Sequence, residues 1–395
     1  MNGLGEENET NDTEILAENL DDFQERTTKD SLDENIFEYL SFLHSEGSLS
    51  RKIIHEIYNK TKKELIDPIL RMVNDENLMK NIDEAFENLN TFYKFKKELK
   101  KRQKIVEPKH HVISEQIGLA FKNGEPIYKS VEVKVSLMPI KQTFKSFLEI
   151  PNIFNAMMEN IQQLEADSQG PIRNFVQGKL WKNIKSKFQD NEILIPCFIY
   201  HDDFEVDNPL GSNAGANKIA AFYFSFPTIP QHLLSSPNYI FDGMLFHSEI
   251  KTENLDLAME PIIDEFKELE TEGLTLDIDG KEIKVFIILS LLIGDNLAQN
   301  ELLGYSKSFN SNFYCRFCKM PKHLARKTFE IDEQYIRSIT TYNNDLEEKQ
   351  YGTMKNCSLN KLGFFHATNN YSCDIMHDIY EGVAVGGVVY EKKNH

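Results

Sequence analysis

The chain has 395 residues, a formal charge of −18 and 41% hydrophobic residues, which is enough apolar material for a sizeable folded core. No stretch approaches the roughly 18 apolar residues of a membrane span, and the acidic first residues lack the pattern of a secretory signal, so we expect a soluble intracellular protein without membrane partners. Five cysteines are too few for a disulfide framework in a chain of this length, so we expect reduced thiols.

The first 35 residues carry more than half of the negative charge. Twelve acidic residues there stand against Arg26 and Lys29, a net charge of −10 that leaves −8 for the rest of the chain. Such a segment buries too little apolar surface to offset the entropy cost of ordering. We therefore predict a disordered acidic tail at 1–35, and the remaining charge does not exclude a nucleic-acid partner.

Residues 36–107 form a predicted helical module. Apolar residues recur at helical spacing, as at Ile53 and Ile57, after a candidate N-cap at Ser50. The last helix ends in KFKKELKKRQK (94–104), with seven basic residues and one acid. Three interpretations of this basic segment stay open: a solvated helix face, a patch that contacts DNA phosphates, and a nuclear import signal.

Residues 108–190 are a mixed pre-catalytic region, in which we predict helices at 140–148 and 153–164. The core follows at 191–395. Its apolar runs predict three strands, an amphipathic helix and a fourth strand, at 193–203, 218–226, 239–247, 254–272 and 284–295. Three consecutive strands, a helix and a parallel fourth strand open the ribonuclease-H-like fold, so we predict an α/β protein with that type of mixed sheet.

Acidic residues end two of these strands. Asp202 and Asp203 end the first strand and Asp295 ends the fourth, so their carboxylates meet at one edge if the strands are neighbours. Carboxylate oxygens suit Mg²⁺ or Mn²⁺, and a pair of such ions promotes phosphodiester cleavage. The alternative is that each Asp only starts a turn.

Several segments resemble CACTA (En/Spm)-type DNA transposases, especially an animal transposon-derived group. The resemblance covers about 130–385, and it is carried by these segments: VSLMPIKQTFKSFL (135–148), FVQGKLWKNI (175–184), YHDDFEVDNPLGSNAGANKIAAFYFSF (200–226), LLIGDNLAQNELLGYSKSFNSNFYCRFCK (291–319) and HATNNYSCDIMHDIYEGV (366–383). It implies metal-dependent cleavage of double-stranded DNA at transposon ends and strand transfer, in the nucleus. It implies no small-molecule cofactor, and a second copy of the chain is a further candidate partner.

The resemblance also assigns the catalytic acids. Asp202 is the first and Asp295 the second, and Glu381 is our choice for the third; together they would hold Mg²⁺ or Mn²⁺. The reserves are Asp203 for the first acid and Asp374 or Asp378 for the third. At helical spacing, Asp374, His377, Asp378 and Glu381 share one face.

The insertion at about 296–372 carries a second candidate metal site. Cys315 and Cys318 form a C-x-x-C, and later histidines complete the Cys2His2 set of a structural zinc site, as the resemblance also implies. The predicted zinc ligands are Cys315, Cys318, His366 and His377, with Cys357 and Cys373 as substitutes. The alternative is two free cysteines with unrelated histidines.

The chain ends soon after Glu381, where the resemblance predicts a long helical part, so we expect an incomplete catalytic core. Glycines at 382, 386 and 387 each weaken a helix by about 1 kcal/mol relative to Ala. Two other functions therefore stay open. One is a catalytically inactive, domesticated or decayed derivative that binds DNA or protein, and the other is a zinc-stabilised interaction module.

Overall fold

A computed structural model describes residues 29–45, 48–73, 75–102, 104–122, 125–167, 170–206, 217–234, 236–328, 330 and 332–384. The chain divides into two compact units, Met1–Val106 and Glu107–His395. Most of the predicted acidic tail lies outside the described residues. Its described part, from Lys29, is the start of a helix.

The first unit is helical, as predicted. Its elements are α1 (Lys29–Ser45), α2 (Arg51–Lys60), a wide helical turn (Thr61–Ile66), α3 (Asp67–Val73), α4 (Glu76–Leu89) and α5 (Phe92–Lys101). The predicted N-cap is confirmed, because the Ser50 hydroxyl accepts a hydrogen bond from the backbone of Ile53. Buried aromatic rings form its core: Phe37 and Phe95 lie 5.7 Å apart, and Tyr58 and Phe86 lie 4.8 Å apart.

The basic segment at the end of α5 makes contacts within this unit. The Arg102 guanidinium forms ion pairs with Glu34 and Glu98 and lies 4.1 Å from the centre of the Phe37 ring. Lys104 also pairs with Glu34, at 3.6 Å. Part of this positive charge therefore holds α5 against α1.

We expect Arg102→Gln to destabilise the first unit by about 1 kcal/mol, the sum of partly exposed ion pairs and a cation–π contact. Lys97→Gln is the matched control, because Lys97 is an exposed residue of the same helix. Urea denaturation, monitored by the helical signal in circular dichroism, measures the difference in unfolding free energy between the two variants. Equal effects would show that the contacts of Arg102 do not stabilise this unit.

The second unit contains a seven-stranded mixed sheet, so the predicted α/β class is confirmed. The strands are β1 (Lys109–Lys122), β2 (Glu125–Leu137), β3 (Ile193–Glu205), β4 (Lys218–Ser225), β5 (Ile240–His247), β6 (Leu274–Ile278) and β7 (Lys281–Gly294). Their order in the sheet is β1-β2-β5-β4-β3-β7-β6. Only the β3–β7 pair is parallel among the described strand pairs.

Three of these strands were not predicted. The hairpin of β1 and β2 lies in the region assigned as mixed, where most apolar side chains of the hairpin are exposed. The Asn-Gly dipeptide at 123–124 is the sequence signal that could have identified it. The third is β6, which joins β7 through Asp279 and Gly280, both with positive φ, as a tight hairpin turn requires.

Helices cover both faces of the sheet at β3 and β7. The described α-helices of this unit are α6 (Ile140–Leu148), α7 (Ile153–Ala166), α8 (Lys179–Lys185), α9 (Gln231–Leu234), α10 (Lys251–Thr271), α11 (Asn296–Leu303), α12 (Lys322–Ala325) and α13 (Ile339–Glu347). Ile195 and Ile287 pack in the larger core with α6 and α10, whereas Leu194 and Ile288 pack with Trp181 of α8. None of the described helices is long and apolar enough to cross a lipid bilayer.

Candidate active site

The site lies at the carboxyl ends of β3 and β7. The two strands run parallel with His201 opposite Gly294, so Asp202 and Asp295 are the next residues at the same edge of the sheet. The predicted adjacency of the first and fourth strands is therefore confirmed. Both strands have the apolar composition that is typical of parallel strands, which are usually buried on both faces.

Strand alternation separates the two acids at the end of β3. Asp202 lies on the same face as Tyr200, and the Tyr200 hydroxyl donates to its Oδ2 at 3.3 Å. Asp203 lies on the other face, where Lys251 Nζ donates to its Oδ2 at 2.6 Å. Lys251 also pairs with Glu301 at 3.1 Å. Asp203 is thus neutralised by a lysine, and Asp202 is the acid that faces the other carboxylates.

Asp295 joins β7 to α11. It is the N-cap of that helix, and its Oδ1 accepts from the backbone of Ala298 at 2.6 Å. An acidic N-cap is stabilised by the unpaired N–H groups and by the positive end of the helix dipole. One oxygen of Asp295 is therefore occupied by the helix start.

Asp374 is the buried acid of the site, with 7% of its surface exposed. Its Oδ2 accepts from the backbone of Asn296 at 3.0 Å and faces Nδ1 of His377 at 2.7 Å. By contrast, Glu381 is exposed and lies 4.0 Å from Nε2 of His377. Asp378 is exposed too and accepts from Nδ2 of Asn296 at 2.7 Å. These three acids follow each other on or beside the wide helical segment Met376–Ala384.

Tyr200 contacts the first residue of the acid cluster, which we define as Asp202, Asp295 and Asp374. Partial burial raises the pKa of Tyr200 to about 12, and the negative charges of Asp202, Asp295 and Asp374 contribute to the rise. Of the three carboxylates, that of Asp202 is in hydrogen-bond contact with the Tyr200 hydroxyl. Our sequence analysis did not identify Tyr200, although its position two residues before Asp202 places both on one strand face.

The Asp374–His377 pair carries opposite pKa shifts. Burial alone would raise the pKa of Asp374, but hydrogen bonds from His377 and Asn296 outweigh it and lower the pKa below the usual 3.8. The hydrogen bond with Asp374 raises the pKa of His377 above the usual 6.5, and the charges of Asp374, Glu381 and Asp295 add to it. Both shifts favour the charged pair at pH values between 3.8 and 6.5.

We expect the pairing to fade at both ends of this window. It is lost as the pH falls through the lowered pKa of Asp374, and as the pH rises through the raised pKa of His377. In Asp374→Asn the pKa of His377 should fall towards 6.5, which an NMR titration of the imidazole measures. Glu381→Gln should change it less, because that carboxylate lies 4.0 Å away. An unchanged pKa in Asp374→Asn would contradict the pairing.

The chemistry of the acid cluster suits Mg²⁺ or Mn²⁺, but its geometry does not complete a metal site. Among the described residues, no group of three His, Cys, Asp or Glu side chains is arranged to hold an ion. The hydrogen bonds above explain this, because Asp295 caps α11 while Asp374 is turned towards Asn296 and His377.

The four predicted zinc ligands are not brought together. Cys315 and Cys318 are neighbours, and the hydrogen bond from Cys318 lowers the pKa of the Cys315 thiol to about 6. His366, however, bonds to Thr368 at 2.8 Å, and His377 belongs to the acid cluster region. Of the two substitutes, Cys357 is buried and Cys373 is exposed. A zinc ion on the cysteine pair stays a prediction, which the zinc content of purified protein tests.

Comparison with known proteins adds no family assignment. No protein-family model matches the chain, and no curated protein matches it at a significant level.

Proposed function

We propose that the second unit is a ribonuclease-H-like domain of the DNA-transposase type, whose acid cluster serves cleavage of transposon-end DNA and strand transfer. One observation carries this proposal. The order β5-β4-β3-β7, with only β3 and β7 parallel, places Asp202 and Asp295 at one edge, and the long helix α10 lies between β5 and β7 in the sequence. An edge with converging acids is what phosphodiester chemistry requires.

The contacts favour Asp374 over Glu381 as the third acid. Asp374 is buried and bonded to Asn296, the residue after Asp295, whereas Glu381 is exposed. The negative charge of Asp374 also acts on Tyr200, together with that of Asp202 and Asp295. Asp202 and Asp295 would bind a divalent ion, which when bound activates the attacking oxygen and stabilises the leaving one.

The second candidate is a non-catalytic derivative that binds DNA or protein. It is favoured by the absence of a three-ligand metal site among the described residues. Asp374 accepts three hydrogen bonds from His377 and Asn296, so its oxygens are already satisfied without metal. A transposase-derived protein that had lost its reaction could keep this self-contained arrangement.

Two measurements on the full chain separate these functions. The first is Mn²⁺ binding, which is measured as the loss of the free Mn²⁺ signal in electron paramagnetic resonance. The second is cleavage of double-stranded DNA taken from the genomic flanks of the coding sequence, where the ends of a transposon would lie, with Mg²⁺ and with Mn²⁺. Binding of Mn²⁺ and site-specific cleavage support the enzyme. DNA binding without either result supports a non-catalytic derivative that binds DNA. If the chain neither binds nor cleaves DNA, both the enzyme and the DNA-binding derivative are contradicted.

A further inference from the structure

Arg316 is a buried cation between the two cysteines of the C-x-x-C, and it reaches the edge of the acid cluster. Only 4% of its surface is exposed. Its Nη1 donates to Oδ1 of Asn296 at 2.6 Å, and its Nη2 and Nε donate to the carbonyl of Ser372 at 2.7 and 3.3 Å. Its guanidinium also lies 4.7 Å from the centre of the Phe317 ring.

The position of this cation is energetically unusual. Within the described part of the chain, no carboxylate lies within ion-pair distance of Arg316, so neutral oxygens satisfy its donors. A buried charge without an ion pair is costly unless its hydrogen-bond donors are satisfied. The negative charge of Asp378 favours the charged form of the Arg316 guanidinium.

The two acceptors of Arg316 belong to the two chain segments that form the cluster. Asn296 directly follows Asp295, and Ser372 precedes Asp374 by two residues. Asn296 in turn donates its backbone N–H to Asp374 at 3.0 Å and its side-chain Nδ2 to Asp378 at 2.7 Å. The guanidinium fork therefore joins the start of α11 to the segment that carries the third acid.

We propose that Arg316 is the positioning residue of the acid cluster: it fixes the Asn296 carboxamide and the Ser372 carbonyl, and so holds Asp374 beside the start of α11, the helix that Asp295 caps. The insertion thus contributes a structural element of the site. This inference deepens the proposed function and rests on it for its role in catalysis. The geometric role of Arg316 is independent of whether the site is active.

Hydrogen exchange of the native chain tests the geometric role. In Arg316→Lys the charge stays, but one ammonium cannot span both acceptors. We expect backbone amides at 294–300 and 372–378 to exchange about tenfold faster, as expected for losing a hydrogen bond to a charged group. Asn296→Ser, which keeps Arg316 but removes the carboxamide, should accelerate exchange in the same two segments.

The matched control is Asp345→Asn, in the same insertion. Asp345 pairs with Lys319 at 3.0 Å and is 7% exposed, so its loss costs comparable local stability without touching the acid cluster. It should leave exchange at 294–300 and 372–378 unchanged. Equal acceleration in Arg316→Lys and Asp345→Asn, or none in Arg316→Lys, would overturn the positioning role.

Mn²⁺ affinity tests the link to function. We expect Arg316→Lys to weaken Mn²⁺ binding by about 10–100-fold, the usual cost of losing a residue that orients metal ligands. Asp345→Asn should leave the affinity unchanged, and an unchanged affinity in Arg316→Lys would overturn the link. A native chain that binds no Mn²⁺ contradicts the proposed enzyme and the link together, while the exchange experiment still decides the geometric role.

Discussion

Asp202→Asn should lower the proposed cleavage of transposon-end DNA by about 10²–10³-fold, the scale on which removal of one preorganised electrostatic group acts. Asp202 is exposed near the carboxyl end of β3, and its carboxylate accepts hydrogen bonds from the Tyr200 hydroxyl and the Asp203 backbone. The substitution keeps the shape and removes the charge, so folding and DNA binding should persist. Cleavage rates on labelled DNA ends and binding by fluorescence anisotropy measure the two effects separately.

Asp203→Asn is the matched control for this prediction. It is the adjacent acid on the same strand, but its carboxylate binds Lys251 on the opposite face. We expect it to reduce stability, because it removes one of the two acids that pair with Lys251, a lysine whose side chain is only 10% exposed. Glu301 remains as the other acid. Loss of cleavage in Asp203→Asn with retention in Asp202→Asn would exchange the roles of the two acids. Loss of DNA binding in Asp202→Asn would assign it a contact role instead.

The positions of the first two acids could be predicted from the sequence because they depend on strand pairing. Apolar runs of strand length locate β3 and β7, and their parallel pairing brings Asp202 near the end of β3 and Asp295 just after β7 to one edge. The choice between Asp202 and Asp203 needed strand alternation together with the position of Lys251. That lysine is 48 residues away in the sequence, and no local pattern connects it with Asp203.

The position of Asp374 could not be predicted in the same way. Asp374 lies 78 residues after Asn296, and it is held by that residue's backbone N–H rather than by a strand. Helical spacing groups Asp374 with Glu381, but the helical segment begins only at Met376 and leaves Glu381 exposed. The contacts of Arg316 with both chain segments arise only in the folded unit, and the C-x-x-C around it drew attention to zinc instead.

The region before the first predicted core strand is part of the same hydrophobic core. Phe144 of α6 is fully buried, and its ring contacts four others, with centroid distances of 4.8 Å to Phe226, 5.7 Å to Phe241, 5.9 Å to Phe224 and 6.3 Å to Phe266. These rings belong to β4, β5, α10 and the residue after β4. The helix at 140–148 was predicted correctly, but its place against this sheet was not.

We expect Phe144→Ala to lower the free energy of unfolding of the second unit by about 3–5 kcal/mol, the usual cost of deleting a buried aromatic ring and leaving a cavity. Trp181 is the single tryptophan of the chain and is buried in this unit, so its fluorescence follows unfolding there. Urea denaturation gives the free energy from the shift of the midpoint at constant slope.

Phe121→Ala is the control, because it makes the same chemical change in the same unit at a side chain that is 70% exposed. Its effect should stay within about 0.5 kcal/mol. The contrast isolates burial, since both variants lose the same ring and differ in what surrounds it. If Phe144→Ala costs less than about 1 kcal/mol, or no more than Phe121→Ala, then the packing of α6 does not stabilise the sheet that carries the acid cluster.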